Sequence, residues 1–145
     1  MEERVSSLTT EEIVQELNRA FAEEVEAATR YLHLRSAVRG LDRLVVEGVL
    51  KAGFQRTIEH AEVIARKIRS IGHVPKLEIA VSCPAEPLSG REALRQAVLL
   101  EEAALECYQD LLKKVVGDVP LEEFVRSQIA TESEHLAQLR ELLNQ

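Results

Sequence analysis

The chain has 145 residues, of which 46% are apolar and 30% charged, so it is long enough and apolar enough to form one domain with its own core. Aromatic residues make up only 3%, Trp is absent and the net charge is −7, which argues against a surface that stacks bases or binds phosphates. No stretch approaches the ~20 apolar residues of a membrane span, and no signal peptide is evident. We therefore expect a single cytoplasmic domain over residues 1–145 that binds neither DNA nor membranes.

Apolar periodicity in the first half of the chain predicts a pair of helices. Thr9, with Glu12 three residues later, is a capping-box pattern that begins the first helix, and Gly40 ends it. The second helix begins near Asp42, after a very short turn, and closes at Gly72. A turn this short makes the two helices antiparallel neighbours.

The second half repeats this pattern after a long connection. Residues 73–89 contain three of the four Pro residues and are the only stretch long enough for a crossover. Ser89 caps the third helix, residues 117–120 form a tight break, and the fourth helix runs from about 121 to 143. The predicted fold class is all-α: a four-helix bundle in which a long crossover joins two helical hairpins.

Each predicted helix places polar side chains on the stripe that must face the core. These mid-helix residues are Glu24, Tyr31, Thr57, Glu101, Tyr108, Glu132 and His135, with His60 one step beside the stripe of the second helix. The interval from Glu24 to His60 is 36 residues and that from Glu101 to His135 is 34, so each hairpin presents a Glu and a His at one level. Buried carboxylates destabilise a fold unless they are paired or bind a metal. The stripes therefore predict a metal site with the ligands Glu24, His60, Glu101, Glu132 and His135. The other two histidines, His33 and His73, lie off the stripes and are expected to be solvated.

This constellation resembles the ferritin-like di-iron superfamily. There, one Glu from each of two helices and a Glu-x-x-His from each of the other two hold two irons. The resemblance makes Glu24 and Glu101 terminal carboxylates, and Glu132 a bridging carboxylate. By the same resemblance His60 and His135 are the histidine ligands of a di-iron centre, for which Mn or Zn are alternative metals. The segment 24–31 is also similar to the first-helix motif of bacterioferritins, and residues Tyr31 and Tyr108 would hydrogen-bond ligand carboxylates or pass an electron.

The two cysteines narrow the resemblance. Cys83 lies in the crossover and Cys107 lies six residues after Glu101. This arrangement is similar to that of the Dps-like subclass called thioferritins, which combine a bacterioferritin-type di-iron site with a nearby cysteine pair. The resemblance implies that the two cysteines form a redox pair, in a dodecameric cage that oxidises Fe(II), preferentially with peroxide. Two free buried thiols are the alternative.

Three features depart from the family pattern. Position 57, where the second Glu-x-x-His should begin, is Thr, and Glu59 lies on the wrong face to replace it. One bridging carboxylate is therefore missing, so that one iron position is weak, a water or an exogenous ligand takes its place, or the centre is degenerate. Ile58 stands where haem-binding bacterioferritins have Met, and the only Met is Met1, so we expect no haem. The chain ends ten residues after His135, which leaves no fifth helix and favours a dodecamer or a smaller homo-oligomer.

The leading functional hypothesis is an iron-oxidising and iron-storing cage that protects against oxidative stress. Its substrates would be Fe(II) and either hydrogen peroxide or O2, and the acidic net charge suits attraction of Fe(II). One alternative is a di-metal oxidoreductase without storage, such as a rubrerythrin-like peroxidase or a hydroxylase. The other is a structural bundle whose metal site has decayed, with Thr57 as the first loss.

Overall fold

Four long helices account for most of residues 8–144, the part of the chain that the computed structural model describes. The helices are α1 (Thr10–Ala37), α2 (Leu41–Ser70), α3 (Gly90–Lys114) and α4 (Val119–Leu143). The all-α prediction is confirmed, with the two hairpins α1–α2 and α3–α4 joined by residues 71–89. Met1, on which the expectation about haem depends, lies outside the described residues. None of the described helices combines the length and the apolar character that a membrane span requires.

Side-chain caps set the starts of three helices. Thr9 and Glu12 form the predicted capping box, each accepting a hydrogen bond of 3.2 Å from the other's backbone N–H. Ser89 accepts a bond of 3.1 Å from the backbone of residue 92. Helix α4 begins about two residues earlier than predicted because Asp118 caps it and Pro120, which has no N–H to satisfy, fits its first turn.

The crossover is held against α1 at several points. The backbone N–H of Leu88 donates to the carbonyl oxygen of Ala37 at 2.9 Å, and that of Lys76 donates to the side chain of Asn18 at 2.8 Å. His33 is half-buried, and its Nε2 lies 3.0 Å from the Pro84 carbonyl oxygen, which can only accept. His33 therefore contacts the crossover while remaining partly exposed, outside both donor groups.

The apolar core is divided into two clusters by a polar layer at mid-bundle. One cluster contains Leu17 and Ile64, and the other contains Leu34 and Leu50. Glu24 lies between Leu17 and Leu34 along α1 and is 2% exposed. The polar stripe residues thus lie between two apolar clusters, one toward each end of the bundle.

Gly53 permits a close approach between α1 and α2. A Cβ at this position would lie 2.5 Å from Tyr31 Cε1, and the ring cannot retreat because it is 1% exposed and hydrogen-bonded. We expect Gly53→Ala to lower the free energy of unfolding by about 1–3 kcal/mol in urea titrations, since overpacking outweighs the gain in helix propensity.

Gly48→Ala is the matched control for this prediction. Gly48 lies in the same helix, is exposed, and a Cβ there would meet nothing within 4 Å. The control substitution should raise stability by about 0.5–1 kcal/mol. Equal effects of the two substitutions would contradict the steric argument.

Candidate metal centre

The structure brings the five predicted ligand residues together in the polar layer. All are buried; their exposed fractions are 2% for Glu24, 9% for His60, 4% for Glu101, 2% for Glu132 and 8% for His135. They come one each from α1, α2 and α3, and two from α4, so the layer closes only when both hairpins pack.

Their donor atoms form two adjoining groups. Glu24, His60 and Glu132 make the first, and Glu101, Glu132 and His135 make the second. Within each group the donor atoms lie within 4.8 Å of one another, which is the spacing that a single cation can span. Glu132 belongs to both groups, and one of its buried oxygens, Oε2, has no hydrogen-bond partner.

His60 is held between two carboxylates. Its Nδ1 lies 2.8 Å from Glu132 Oε1 and 3.8 Å from Glu24 Oε1. Burial alone would lower the pKa of His60, but the hydrogen bonds and charges of Glu132 and Glu24 outweigh it and raise the pKa to about 10. Without a metal, His60 is therefore an imidazolium that offsets one of the two carboxylate charges of the first group.

In the second group the proton lies on a carboxylate and not on the imidazole. Burial, followed by the proximity of Glu132, raises the pKa of Glu101 to about 8. Burial, followed by the charge of Arg56, lowers the pKa of His135 to about 4. At neutral pH Glu101 thus carries a proton and His135 does not, and the His135 ring stacks on that of His60 with centroids 6.0 Å apart.

Two tyrosines form hydrogen bonds from one hairpin to a donor carboxylate of the other. The Tyr31 hydroxyl of α1 donates to Glu101 of α3 at 2.5 Å, and the Tyr108 hydroxyl of α3 donates to Glu24 of α1 at 2.8 Å. Burial, together with the neighbouring carboxylates, raises the pKa of both phenols far above its usual value. Both hydroxyls stay protonated and act as fixed donors that orient the two carboxylates.

Thr57 contributes no carboxylate, as its sequence position implied. It is buried in the polar layer, and its hydroxyl donates to the carbonyl oxygen of Gly53 at 2.7 Å. Sequence reasoning overlooked Gln128, which is 7% exposed and whose amide oxygen has no hydrogen-bond partner. The available signal was its place on the core stripe of α4, one turn before Glu132.

The cysteines lie outside both donor groups and are free thiols. Cys83 lines a cavity beside His33, while Cys107 packs against the apolar cluster that contains Leu17. Burial, followed by the charge of Glu23, raises the pKa of Cys107 to about 11, so this residue is a thiol at neutral pH.

The model of the ferritin-like domain matches residues 14–145 of the sequence, which is nearly the whole chain. The chain belongs to the ferritin-like family. Its polar layer lies where the two hairpins of the ferritin-like domain face each other. A search of curated proteins found no significant match.

Solved structures with the same fold include proteins described as di-iron-carboxylate proteins and as ferritins. A ferritin-like di-iron-carboxylate protein from Bacillus anthracis is 25% identical, with a TM-score of 0.79 over 92% of this chain and 96% of that one. The bacterioferritin-related protein of Bacteroides fragilis, described as a dodecameric thioferritin, is 26% identical. Its TM-score is 0.79 over 94% of this chain and 87% of that one. An open-pore ferritin from Archaeoglobus fulgidus has a TM-score of 0.81 over 97% of this chain and 86% of that one. Because it is only 21% identical, it supports the fold alone.

Proposed function

We propose that this ferritin-like protein binds and oxidises Fe(II) at a two-metal centre formed by Glu24, His60, Glu101, Glu132 and His135. The observation that carries the proposal is that Glu132 belongs to two adjoining groups of buried donors. A carboxylate shared in this way can serve two cations at once. Its unpartnered buried oxygen supports this role, because such an atom is costly unless something binds it.

The donor set fits the proposed substrate. Carboxylate oxygens and imidazole nitrogens suit Fe(II), and also Mn(II) and Zn(II). Hydrogen peroxide takes one electron from each of two ferrous ions and, with two protons, gives two waters and two ferric ions. The protein residues would fix both ions side by side, and Tyr31 and Tyr108 would keep the terminal carboxylates aligned.

We further propose that the protein stores the ferric product in a homo-oligomeric cage. One support is the description of the Bacteroides fragilis protein as dodecameric. Another is the start of α2, where Leu41, Leu44 and Val45 are between 77% and 80% exposed and form an apolar surface suited to contact with another copy. A cytoplasmic location and a redox role for Cys83 and Cys107 stay predictions.

The count of iron atoms per chain tests the proposal. The protein is loaded with Fe(II) and peroxide, desalted, and assayed by elemental analysis together with light scattering. Tens of irons per chain in a large particle are expected. A plateau at one or two would favour the non-storing oxidoreductase. No bound iron would indicate a decayed site, which the lack of a carboxylate at Thr57 supports.

Proton release on metal binding gives an independent check. Metal must displace the proton of His60, whose pKa is about 10, and that of Glu101, whose pKa is about 8, whereas His135, at about 4, is already neutral. We expect about two protons released per chain at pH 7 when Zn²⁺ fills both groups, and about one at pH 9. Calorimetric titrations in buffers of different ionisation enthalpy measure this number. Release that does not change between these pH values would contradict the assignment.

A further inference from the structure

A cavity outside the two donor groups adjoins the metal centre on the side of α2 and α4. A cavity of about 250 Å³ lies between these helices, lined by His135, Arg56, Gln138 and the apolar side chains of Val49, Ala52 and Leu139. His135 belongs to the second donor group, so the cavity reaches the edge of the metal centre. Its volume exceeds that of a water molecule, about 30 Å³, several times over.

Arg56 is an unpaired cation on the wall of this cavity. Its Nε is buried and has no hydrogen-bond partner, and within residues 8–144 no carboxylate lies within ion-pair distance of its guanidinium. Other partly buried arginines are paired; Arg35, for example, lies 3.2 Å from Glu47. A guanidinium without a carboxylate partner is a ready site for a planar, two-oxygen anion.

The metal centre lacks one negative charge. Its donor groups contain three carboxylates, Glu24, Glu101 and Glu132, and two imidazoles. With both imidazoles neutral, two divalent cations would leave a net charge of +1, and Arg56 beside them brings the local charge to +2. The family pattern has a fourth carboxylate, but in this chain the residue immediately after Arg56 is Thr57, whose hydroxyl is bonded to its own helix.

We propose that the cavity binds a small carboxylate-type anion, which pairs with Arg56 and offsets one of the two excess positive charges of Arg56 and the metal-loaded centre. This inference rests on the proposed two-metal centre. The anion can be a small organic acid or bicarbonate, since both present the same pair of oxygens. Because metals and anion attract each other, each should raise the affinity of the other by the same factor.

Zn²⁺ binding with and without anion tests this inference and requires no turnover. Titrations of the metal-free protein are run in matched ionic strength with chloride, with acetate, and with bicarbonate. For the native chain we expect acetate or bicarbonate to raise the Zn²⁺ affinity by at least about fivefold. The NMR lines of ¹³C-acetate should broaden on addition of the Zn²⁺-loaded protein more than on addition of the metal-free protein.

Two substitutions locate the effect. Arg56→Gln should abolish the anion response, whereas Arg66→Gln, an exposed arginine of the same helix, should retain it. Thr57→Glu supplies an internal carboxylate and should bind Zn²⁺ tightly without added anion. If circular dichroism shows that this variant does not fold, the comparison of the two arginine variants tests the anion site by itself.

The outcomes separate this inference from the proposed function. Tight binding of Zn²⁺ with no anion response, or with an equal response in Arg56→Gln, would overturn the anion site and leave the metal centre standing. No binding of Zn²⁺ under any of these conditions would overturn both. A response to only one of acetate and bicarbonate would support the site and identify its ligand.

Discussion

Glu132→Gln should remove metal binding from both donor groups at once. Glu132 is the one carboxylate that both groups share, and it is 2% exposed, so neither water nor another side chain can replace it easily. The amide oxygen of Gln can still accept the hydrogen bond from His60, so the fold should persist. We expect the Zn²⁺ count to fall from two per chain to none at micromolar metal, and the initial rate of Fe(II) oxidation to fall at least about 100-fold.

Glu134→Gln is the matched control, because Glu134 is an exposed carboxylate two residues away on α4. This variant should bind two Zn²⁺ and oxidise Fe(II) like the native chain. Retention of two bound Zn²⁺ in Glu132→Gln would refute the shared-ligand assignment. Loss of only one would show that one of the groups holds its ion without Glu132.

Glu101→Gln should have opposite effects on the metal-free and metal-loaded protein. In the folded chain the pKa of Glu101 is about 8, against an ordinary value of 4.5, so the folded state binds the extra proton between these values. Protonation of Glu101 therefore contributes to the free energy of unfolding. This contribution is fully present below pH 4.5 and is lost as the pH rises through about 8. Gln has no proton to lose and accepts the same hydrogen bond from Tyr31.

Urea titrations of metal-free protein at pH 6 and pH 9 measure the difference. At pH 9 we expect Glu101→Gln to be more stable than the native chain by about 1–4 kcal/mol, with a smaller gain at pH 6. Saturating Zn²⁺ should reverse the order, because only the native chain has a complete second group. Glu106→Gln, an exposed carboxylate of the same helix, should change neither value. A loss of stability in metal-free Glu101→Gln at pH 9 would falsify the pKa argument.

The helices and the five buried donors could be predicted from sequence because both follow from helical periodicity. Apolar residues at the core spacing imply the stripe, and a Glu such as Glu24 within it is conspicuous because burial without a partner is costly. Glu101 and His135 were found in the same way. These inferences depend on spacing within one helix, which the chain itself carries.

The pairing of the side chains across the bundle could not be predicted. Glu24 and Tyr31 lie two turns apart on one helix, about 10 Å, so they cannot bond to each other, and their partners are Tyr108 and Glu101 on another helix. The local sequence around each tyrosine does not indicate which residue of the other helix accepts its hydrogen bond. Arg56 was missed for a similar reason, since its lack of a partner is visible only when its surroundings are known.

The tyrosine hydrogen bonds that connect the two hairpins should also affect folding kinetics. Tyr31 positions Glu101 and Tyr108 positions Glu24, so neither hairpin can prepare its own share of the donor groups before the two have docked. Metal should then be captured late, after the hairpins have docked, and leave the rate of docking unchanged. The same contacts must break before the metal is released, so bound metal should act on the unfolding rate and lengthen the lifetime of the native state.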